Sequence, residues 1–260
     1  EMPREPYAGV AVERDRRYGP HERHRLDLFV PEGASGAPIV VFVHGGGFAR
    51  GDKHIPNTPY FDNVALFATQ GGAIGVTITY RLAPEHTWPA GAEDVAAAVA
   101  HLSAHAAALG GDPNRIFLIG TSAGAAHIAS WLASQSPESQ RIKGAVLMSG
   151  IYDLTLQDIT PHAEIYFGAA PHSSRSSLQG LASARTPLFL TMAELDPPEF
   201  QRQTRALAMA LQSQRGVAAD LHVLQGHNHF SGALHLGGAD QRLARLIRDF
   251  WLRCETPREP

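Results

Sequence analysis

The stretch IFLIGTSAG, residues 116–124, carries the pattern that decides the fold of this 260-residue chain. Residues 116–119 are apolar and predict a short buried strand, whereas residues 125–134 predict a helix that begins directly after the glycines. The Gly-x-Ser-x-Gly between them predicts a sharp turn, because larger side chains at the flanking positions would clash with the strand and the helix. Ser122 would stand at the tip of this turn with its hydroxyl exposed, and it is the candidate nucleophile.

The rest of the chain alternates short β-rich runs with longer helical runs, which is typical of an α/β fold with a mostly parallel central sheet and helices on both faces. Residues 39–43, IVVFV, are β-branched and aromatic throughout, as expected of a strand buried on both faces. Residues 10–16 and 25–30 alternate in polarity and predict an antiparallel pair that opens the sheet. The other predicted elements are strands at 73–79, 115–119, 144–149, 187–192 and 219–224, and helices at 60–69, 92–109, 125–134, 199–214 and 241–252.

Length and composition favour a single domain that spans residues 1–260. Hydrophobic residues make up 44% of the chain and charged residues 18%, which supplies a core and gives no signature of disorder. Residues 151–183 are irregular and carry few periodic signals, so we interpret them as a small cap inserted over the sheet.

Charge and composition argue against several classes of partner. The net charge of −3 arises from 22 basic and 25 acidic residues spread along the chain, which does not favour nucleic acid. Apolar runs such as residues 39–43 are too short to cross a bilayer, so no stable membrane insertion is expected. The 14 histidines include no metal-binding motif, and Cys254 alone cannot form an intramolecular disulfide. We expect a cytoplasmic location, with a signal peptide removed before Glu1 as an open alternative.

A glycine-rich segment, HGGG at residues 44–47, directly follows the predicted strand 39–43. Such a segment lets backbone N–H groups approach a substrate and hold the oxyanion of a tetrahedral intermediate. The expected donors are the N–H groups of Gly46 and Gly47, together with that of Ala123 beside the candidate nucleophile. A loose turn or a phosphate cradle would be alternatives, but no Gly-Lys-Ser/Thr follows as a phosphate loop would need.

A serine nucleophile needs a histidine base and an acid that orients the base. When the nucleophile stands on a Gly-x-Ser-x-Gly turn, the acid and then the histidine follow it along the chain. Asp196 lies just past the predicted strand 187–192 and is the preferred acid, with Glu194 as the alternative.

The loop at residues 225–231, after the predicted strand 219–224, offers two histidines for the role of base. We prefer His229, because it lies deeper in the loop and has Phe230 beside it to fix its position. His227 is left as a supporting residue or a solvent-exposed one.

Taken together, the motifs resemble those of the hormone-sensitive-lipase-like esterases and the related kynurenine-formamidase-like hydrolases. The resemblance runs from Tyr18 to the C-terminus and rests on HGGGF at 44–48, YRLAPEH at 80–86, WPA at 88–90, Asp94, DPNRI at 112–116, GTSAG at 120–124, Asp196-Pro197 and His229-Phe230. It implies an α/β-hydrolase fold, no cofactor, and a serine carboxylesterase that acts on small acyl esters. An aryl formamidase or amidase with the same Ser-His-Asp triad is the alternative, and a non-catalytic binding module and a membrane-surface lipase are further competitors. In the family the YRLAPE stretch is structural, so we assign no catalytic role to Tyr80 or Glu85.

The sequence departs from the family at its N-terminal end. The sheet is predicted to begin near Val10, so the N-terminal helical cap of typical family esterases is short or absent, and residues 151–183 are the predicted lid. This favours a small and accessible acyl pocket. The resemblance also makes a homodimer plausible, through edge strands or terminal helices. Candidate pocket walls, each as well suited to the core, are Phe48, Tyr152, Tyr166, Phe167 and Phe230.

Overall fold

A computed structural model describes residues 7–155, 160–169 and 172–256. Its strands are β1 (Val10–Arg17), β2 (Arg25–Pro31), β3 (Ala37–Val43), β4 (Ile74–Ile78), β5 (Gly111–Thr121), β6 (Gly144–Met148), β7 (Leu188–Leu195) and β8 (Asp220–Asn228). Its α-helices are α1 (Asp62–Gln70), α2 (Ala90–His105), α3 (Ala123–Ala133), α4 (Pro161–Phe167), α5 (Leu178–Ser183), α6 (Pro198–Arg215), α7 (Ser231–Leu234) and α8 (Arg242–Glu255).

All strands of the described residues join one sheet, in the order β1-β2-β4-β3-β5-β6-β7-β8. The pairs β1/β2 and β2/β4 are antiparallel, and every other pair is parallel. The sheet therefore opens with the antiparallel pair that the polarity pattern predicted and continues as a parallel α/β sheet. The predicted fold class is confirmed.

Strand β3 illustrates why the central strands read as continuous apolar runs. Successive side chains of a strand point to opposite faces of its sheet. Ile39, Val41 and Val43 pack into the core layer that includes α2 and α3, whereas Val40 and Phe42 pack into the layer that includes α1 and α8. Both faces are thus covered by helices, and residues 39–43 are all apolar because each of them is buried.

The topology brings three strand ends to one edge of the sheet. Ser122 directly follows β5, Asp196 directly follows β7, and His229 directly follows β8. These strands are parallel to one another through β6, so their carboxyl ends lie on the same side. Open α/β sheets place their ligands at this edge.

Several predicted boundaries differ from the structure by three or four residues, among them the start of β5 at Gly111 and the end of β7 at Leu195. Helix α2 stops at His105 instead of Leu109, because Ala106 is fully buried and its carbonyl accepts the N–H of Gly111 at 2.8 Å, which turns the chain towards β5. Strand β8 runs to Asn228 instead of stopping at Leu224, so His227 lies within a strand and not in a loop.

None of the described helices is long and apolar enough to cross a membrane.

Candidate active site

Ser122 occupies the turn between β5 and α3 with φ 53° and ψ −118°, a left-handed conformation that is strained for a residue with a side chain. The flanking glycines make this turn possible. A Cβ at Gly120 would stand 2.7 Å from the backbone nitrogen of Ala125, and one at Gly124 would stand 2.1 Å from the carbonyl oxygen of Val43. The close approach of strand and helix behind the serine therefore requires glycine at both positions.

A hydrogen-bond chain joins Ser122, His229 and Asp196. His229 Nδ1 lies 2.7 Å from Asp196 Oδ1, and His229 Nε2 lies 2.9 Å from Ser122 Oγ. Because a carboxylate can only accept, Nδ1 carries the imidazole proton and Nε2 is left to accept the proton of the serine hydroxyl. The residues selected from sequence as nucleophile, base and acid are thus within hydrogen-bond reach in the order that acyl transfer requires.

The side chain of Asp196 is fully buried, and its carboxylate is held from two sides. Its Oδ2 accepts a hydrogen bond of 2.6 Å from Ser149 Oγ and another of 2.6 Å from the N–H of Ala193. Ser149 follows β6 with φ 50° and was not predicted as a site residue. Its position at the carboxyl end of a central parallel strand was the available signal, although no motif marks it.

The alternatives to the preferred acid and base lie elsewhere. Glu194 is exposed, and its Oε2 accepts the N–H of Gly226 at 2.7 Å. His227 is buried, with Nδ1 3.1 Å from Ser231 Oγ and Nε2 3.2 Å from Asp240 Oδ2. His227 therefore binds the segment that follows His229. The structure thus favours a supporting role for His227 over a solvent-exposed position.

The glycine loop predicted to bind the oxyanion lies against the serine. A Cβ on Gly45 would stand 3.2 Å from Ser122 Cβ, so this loop and the nucleophile turn are in direct contact. Gly46 has φ 138°, and a Cβ there would stand 1.9 Å from the carbonyl oxygen of Arg50; Gly47 has φ 60°. Only glycine adopts this backbone without strain, and its lack of a side chain lets the backbone of the loop approach the cavity closely.

His44 anchors the glycine loop from below. Its ring is fully buried, stacks on Tyr80 with ring centroids 4.4 Å apart, and places Nδ1 2.6 Å from the carbonyl oxygen of Gly45. Burial lowers the pKa of His44 to about 4, so the ring is neutral near pH 7. The Tyr80 hydroxyl donates to the His44 carbonyl at 2.8 Å, which gives the YRLAPE stretch a structural contact with this loop.

A cavity of about 430 Å³ opens over Ser122 and His229. Its apolar walls are Ile55, Phe61, Phe200, Phe230, Ala233 and Leu234, and its polar side chains beyond the serine and histidine come from Arg50, Thr121, Thr160 and His162. No group of three or more His, Cys, Asp or Glu side chains within the described residues could hold a metal ion. The cavity therefore presents an organic substrate with an apolar surface beside a nucleophile.

Four of the five candidate pocket walls are core residues instead. Phe48, Tyr166 and Phe167 are buried against one another beneath the site, and Tyr152 is buried in the layer with α2 and α3. Only Phe230 of the five lines the cavity. An aromatic side chain in a cap segment can face either the sheet or the cavity, and sequence gives no periodicity in such a segment to separate the two.

Phe61 and Phe200 are the cavity aromatics that sequence reasoning missed. The ring of Phe200 is 4.1 Å from the ring of His229, centroid to centroid, which is closer than the 5.4 Å of Phe230. Phe200 therefore contributes more than Phe230 to holding the imidazole in place. Its position in the first turn of α6, just after Asp196, was the signal that could have found it.

A strained serine that is hydrogen-bonded to a His–Asp pair, at the carboxyl edge of a mostly parallel sheet, is the arrangement of the α/β-type serine hydrolases. The comparison with known families agrees with this class. A sequence profile of the α/β-hydrolase fold matches residues 40–231, and the chain belongs to that family.

Relatives within the family include esterases and formamidases. Kynurenine formamidase of Salmo salar is 27% identical over 242 residues, which cover 88% of this chain and 79% of that protein. Esterase LipQ of Mycobacterium tuberculosis is 28% identical over 259 residues, which cover 90% of this chain and 60% of that protein. Esterase B of Lactobacillus rhamnosis, solved with a C4-C4 tributyrin phosphonate inhibitor, shares the fold with a TM-score of 0.78 at 19% identity, over 95% of this chain and 87% of that one.

Proposed function

We propose that this chain is a serine carboxylesterase that hydrolyses small acyl esters through an acyl-enzyme intermediate on Ser122. The observation that carries the proposal is the hydrogen-bond chain from Ser122 Oγ through His229 to Asp196. A hydroxyl is a weak nucleophile at its ordinary pKa, and a base at 2.9 Å is what allows it to attack an acyl carbon.

The mechanism follows from the direction of these hydrogen bonds. His229 Nε2 takes the serine proton as Oγ attacks the ester carbonyl, and the imidazolium then gives that proton to the departing alkoxide. Asp196 holds the Nδ1–H tautomer and stabilises the charged ring. In the second half-reaction His229 activates water, which attacks the acyl-enzyme and releases the acid and free Ser122.

The oxyanion of both tetrahedral intermediates is held by the N–H groups of Gly46, Gly47 and Ala123. Ala123 begins α3, so its N–H is also at the positive end of the helix dipole. Loss of a single oxyanion donor typically costs about 3–4 kcal/mol of transition-state stabilisation, so this loop is expected to contribute substantially to the rate.

Replacing Ser122 with alanine is expected to abolish turnover of p-nitrophenyl acetate and butyrate, because no other hydroxyl lies within reach of His229 Nε2 among the described residues. The same variant should lose labelling by a fluorophosphonate probe. Ser183→Ala is the matched control, since this exposed serine ends α5 at the opposite edge of the sheet. Turnover by Ser122→Ala that matches the wild type would contradict the proposal.

An aryl formamidase activity is the second candidate function. It is favoured by the similarity to the kynurenine formamidase of Salmo salar, which spans 88% of this chain. The same triad and oxyanion loop would attack a formamide carbonyl, with His229 protonating the amine that leaves. Comparing kcat/KM for N-formylkynurenine with that for p-nitrophenyl butyrate would separate the two candidates.

A homodimer, a cytoplasmic location, a single domain over residues 1–260 with a cap at 151–183, and activity without a cofactor stay predictions. Sedimentation measures the oligomeric state, and a single cooperative unfolding transition would support one domain. Full activity after dialysis against EDTA would support catalysis without a metal.

A further inference from the structure

The active-site cavity contains a positive side chain, Arg50, with no acidic side chain among the described residues that line it to balance its charge. Other arginines of the protein are paired with carboxylates, for example Arg81 with Asp94 at 2.7 Å and Arg115 with Glu255 at 2.7 Å. Arg50 is exposed and forms no side-chain hydrogen bond or ion pair with the residues that the structure describes.

Arg50 belongs to the loop that is proposed to hold the oxyanion. Its N–H donates to the carbonyl of Gly46 at 3.2 Å, and its own carbonyl lies against the α-carbon of that glycine. The backbone of Arg50 is therefore fixed relative to Ser122, whereas its side chain has no hydrogen-bond or ion-pair partner among the described residues. A cation on a fixed backbone at the rim of a reaction cavity can orient a substrate.

His162 contacts the same loop and also lines the cavity. Its ring atoms Cγ and Cδ2 are 3.1 Å from the point where a Cβ on Gly47 would stand, so the imidazole covers the glycine from the cavity side. Thr160 fixes the helix that carries it: the Thr160 hydroxyl accepts the N–H of Ala163 at 3.2 Å, and the Thr160 N–H donates to Glu199 at 2.9 Å. The ring nitrogens of His162 form no hydrogen bond within the described residues.

The other walls of the cavity are mostly apolar and include Phe61, Phe200 and Phe230. A guanidinium matches a carboxylate in shape, because it offers two parallel N–H donors to the two oxygens.

We propose that the preferred substrates are esters that carry a carboxylate in the acyl or the leaving group, bound by Arg50 with a hydrogen bond from His162. The inference rests on the proposed esterase function and names the substrate class for it. An apolar body of the substrate fills the aromatic part of the cavity, and the carboxylate lies at the rim where Arg50 neutralises it.

Two pairs of substrates test the two positions of the carboxylate. Mono-p-nitrophenyl adipate and p-nitrophenyl hexanoate share a six-carbon acyl chain and differ by a carboxylate at its end. The compounds 4-acetoxybenzoate and methyl 4-acetoxybenzoate share an acetyl group and differ by a carboxylate in the leaving group. The quantity measured is the ratio of kcat/KM for the anionic ester to kcat/KM for its neutral partner, after subtraction of the rate of Ser122→Ala.

Arg50→Gln should lower this ratio about tenfold for one of the two pairs, the size expected for a hydrogen bond to a charged group. Arg185→Gln makes the same charge change at an exposed arginine near the start of β7, at the opposite edge of the sheet, and should leave both ratios unchanged. His162→Asn should lower the ratio about threefold in the same pair, in the range of a single hydrogen bond.

Ratios that are equal in the wild type, Arg50→Gln and Arg185→Gln, with neutral esters still hydrolysed through Ser122, would overturn this inference and leave the esterase proposal intact. A ratio unchanged in His162→Asn alone would remove the histidine from the carboxylate site. Absence of any hydrolysis that depends on Ser122 would overturn the esterase proposal, and the inference with it.

Discussion

Ser149 shows how a single residue outside the reacting atoms can govern the site. Its hydroxyl donates to Asp196 Oδ2 at 2.6 Å, while the other oxygen of that carboxylate accepts from His229. The two hydrogen bonds at opposite oxygens fix the plane of the carboxylate and with it the plane of the imidazole. Ser149 is buried and does not line the cavity, so it acts only through Asp196.

Ser149→Ala is expected to lower kcat about tenfold with little change in KM, because it removes a hydrogen bond to a charged group without altering the cavity wall. Steady-state kinetics with p-nitrophenyl butyrate measure both constants. A raised KM with an unchanged kcat would contradict the positioning role.

The contrast between the triad and Ser149 explains what sequence can reveal at this scale. Ser122, Asp196 and His229 were selected because each follows a predicted strand, in the chain order that the nucleophile turn requires. Ser149 also follows a strand, but its contact with Asp196 depends on a left-handed backbone, φ 50°, that a serine rarely adopts. Whether Tyr152, Tyr166 and Phe167 face the core or the cavity is likewise set by tertiary packing, and the sequence alone did not resolve it.

At the scale of elements, strand β8 and the turn after it form a clamp around His229, the proposed base. His227 precedes His229 by two residues and contacts Ser231, which follows it by two, while Asp240 holds the other nitrogen of the His227 ring. Hydrogen bonds from Arg242 hold the pKa of Asp240 well below its usual range, so its carboxylate stays charged beside His227. The loop that carries His229 is thus tied to the start of α8.

His227→Ala should lower kcat about tenfold and leave KM almost unchanged, because the loop that aims His229 loses the hydrogen bonds of the His227 ring to Ser231 and Asp240. The variant should also unfold at a lower urea concentration, since a buried hydrogen-bonded ring is lost. His222→Ala is the control on the same strand: that ring pairs with Asp220, near the start of β8, and its loss should leave kcat unchanged. Equal kcat values for His227→Ala and the wild type would contradict the clamp.

The extension of β8 through Asn228 was not predicted from the sequence. Gln225 and Gly226 interrupt the apolar pattern and predicted a loop from 225 onwards. The backbone nevertheless continues beside β7, where Glu194 accepts the N–H of Gly226 and Leu195 pairs with Asn228 after a register shift. Hydrogen bonds to a neighbouring strand overrode the local preference, as happens where an edge strand approaches a functional site.

At the scale of the whole molecule, two buried histidines lie beneath the active site and stay neutral near pH 7. His44 is buried under the glycine loop, and His127 on α3 is buried among Phe48, Tyr80 and Tyr166. Neither ring nitrogen of His127 has a hydrogen-bond partner among the described residues. Burial lowers the pKa of His44 to about 4 and that of His127 to about 3.

These histidines make stability depend on pH in a defined direction. In the unfolded chain a histidine gains its proton near its ordinary pKa of about 6.5, whereas in the folded protein both rings stay neutral until a much lower pH. The unfolded state therefore binds more protons between about pH 6.5 and 4, and the free energy of unfolding falls as the pH is lowered through that window. The fall is at most about 1.4 kcal/mol per pH unit for each histidine.

Replacing His127 with leucine should reduce this dependence, because leucine keeps an apolar side chain at the position and cannot bind a proton. Urea unfolding at pH 7 and pH 5 measures the change in the free energy of unfolding for each protein. We expect the wild type to lose about 2 kcal/mol more than His127→Leu over this interval, since the interval covers about 1.5 units below the ordinary histidine pKa.

The comparison of slopes is independent of any cavity that the leucine leaves, because such a cavity lowers stability equally at both pH values. Carboxylates with lowered pKa values, such as Asp62 and Asp240, contribute mainly below this window and are the same in both proteins. Equal losses in the two proteins would mean that His127 is protonated or hydrated in the folded state, contrary to its burial.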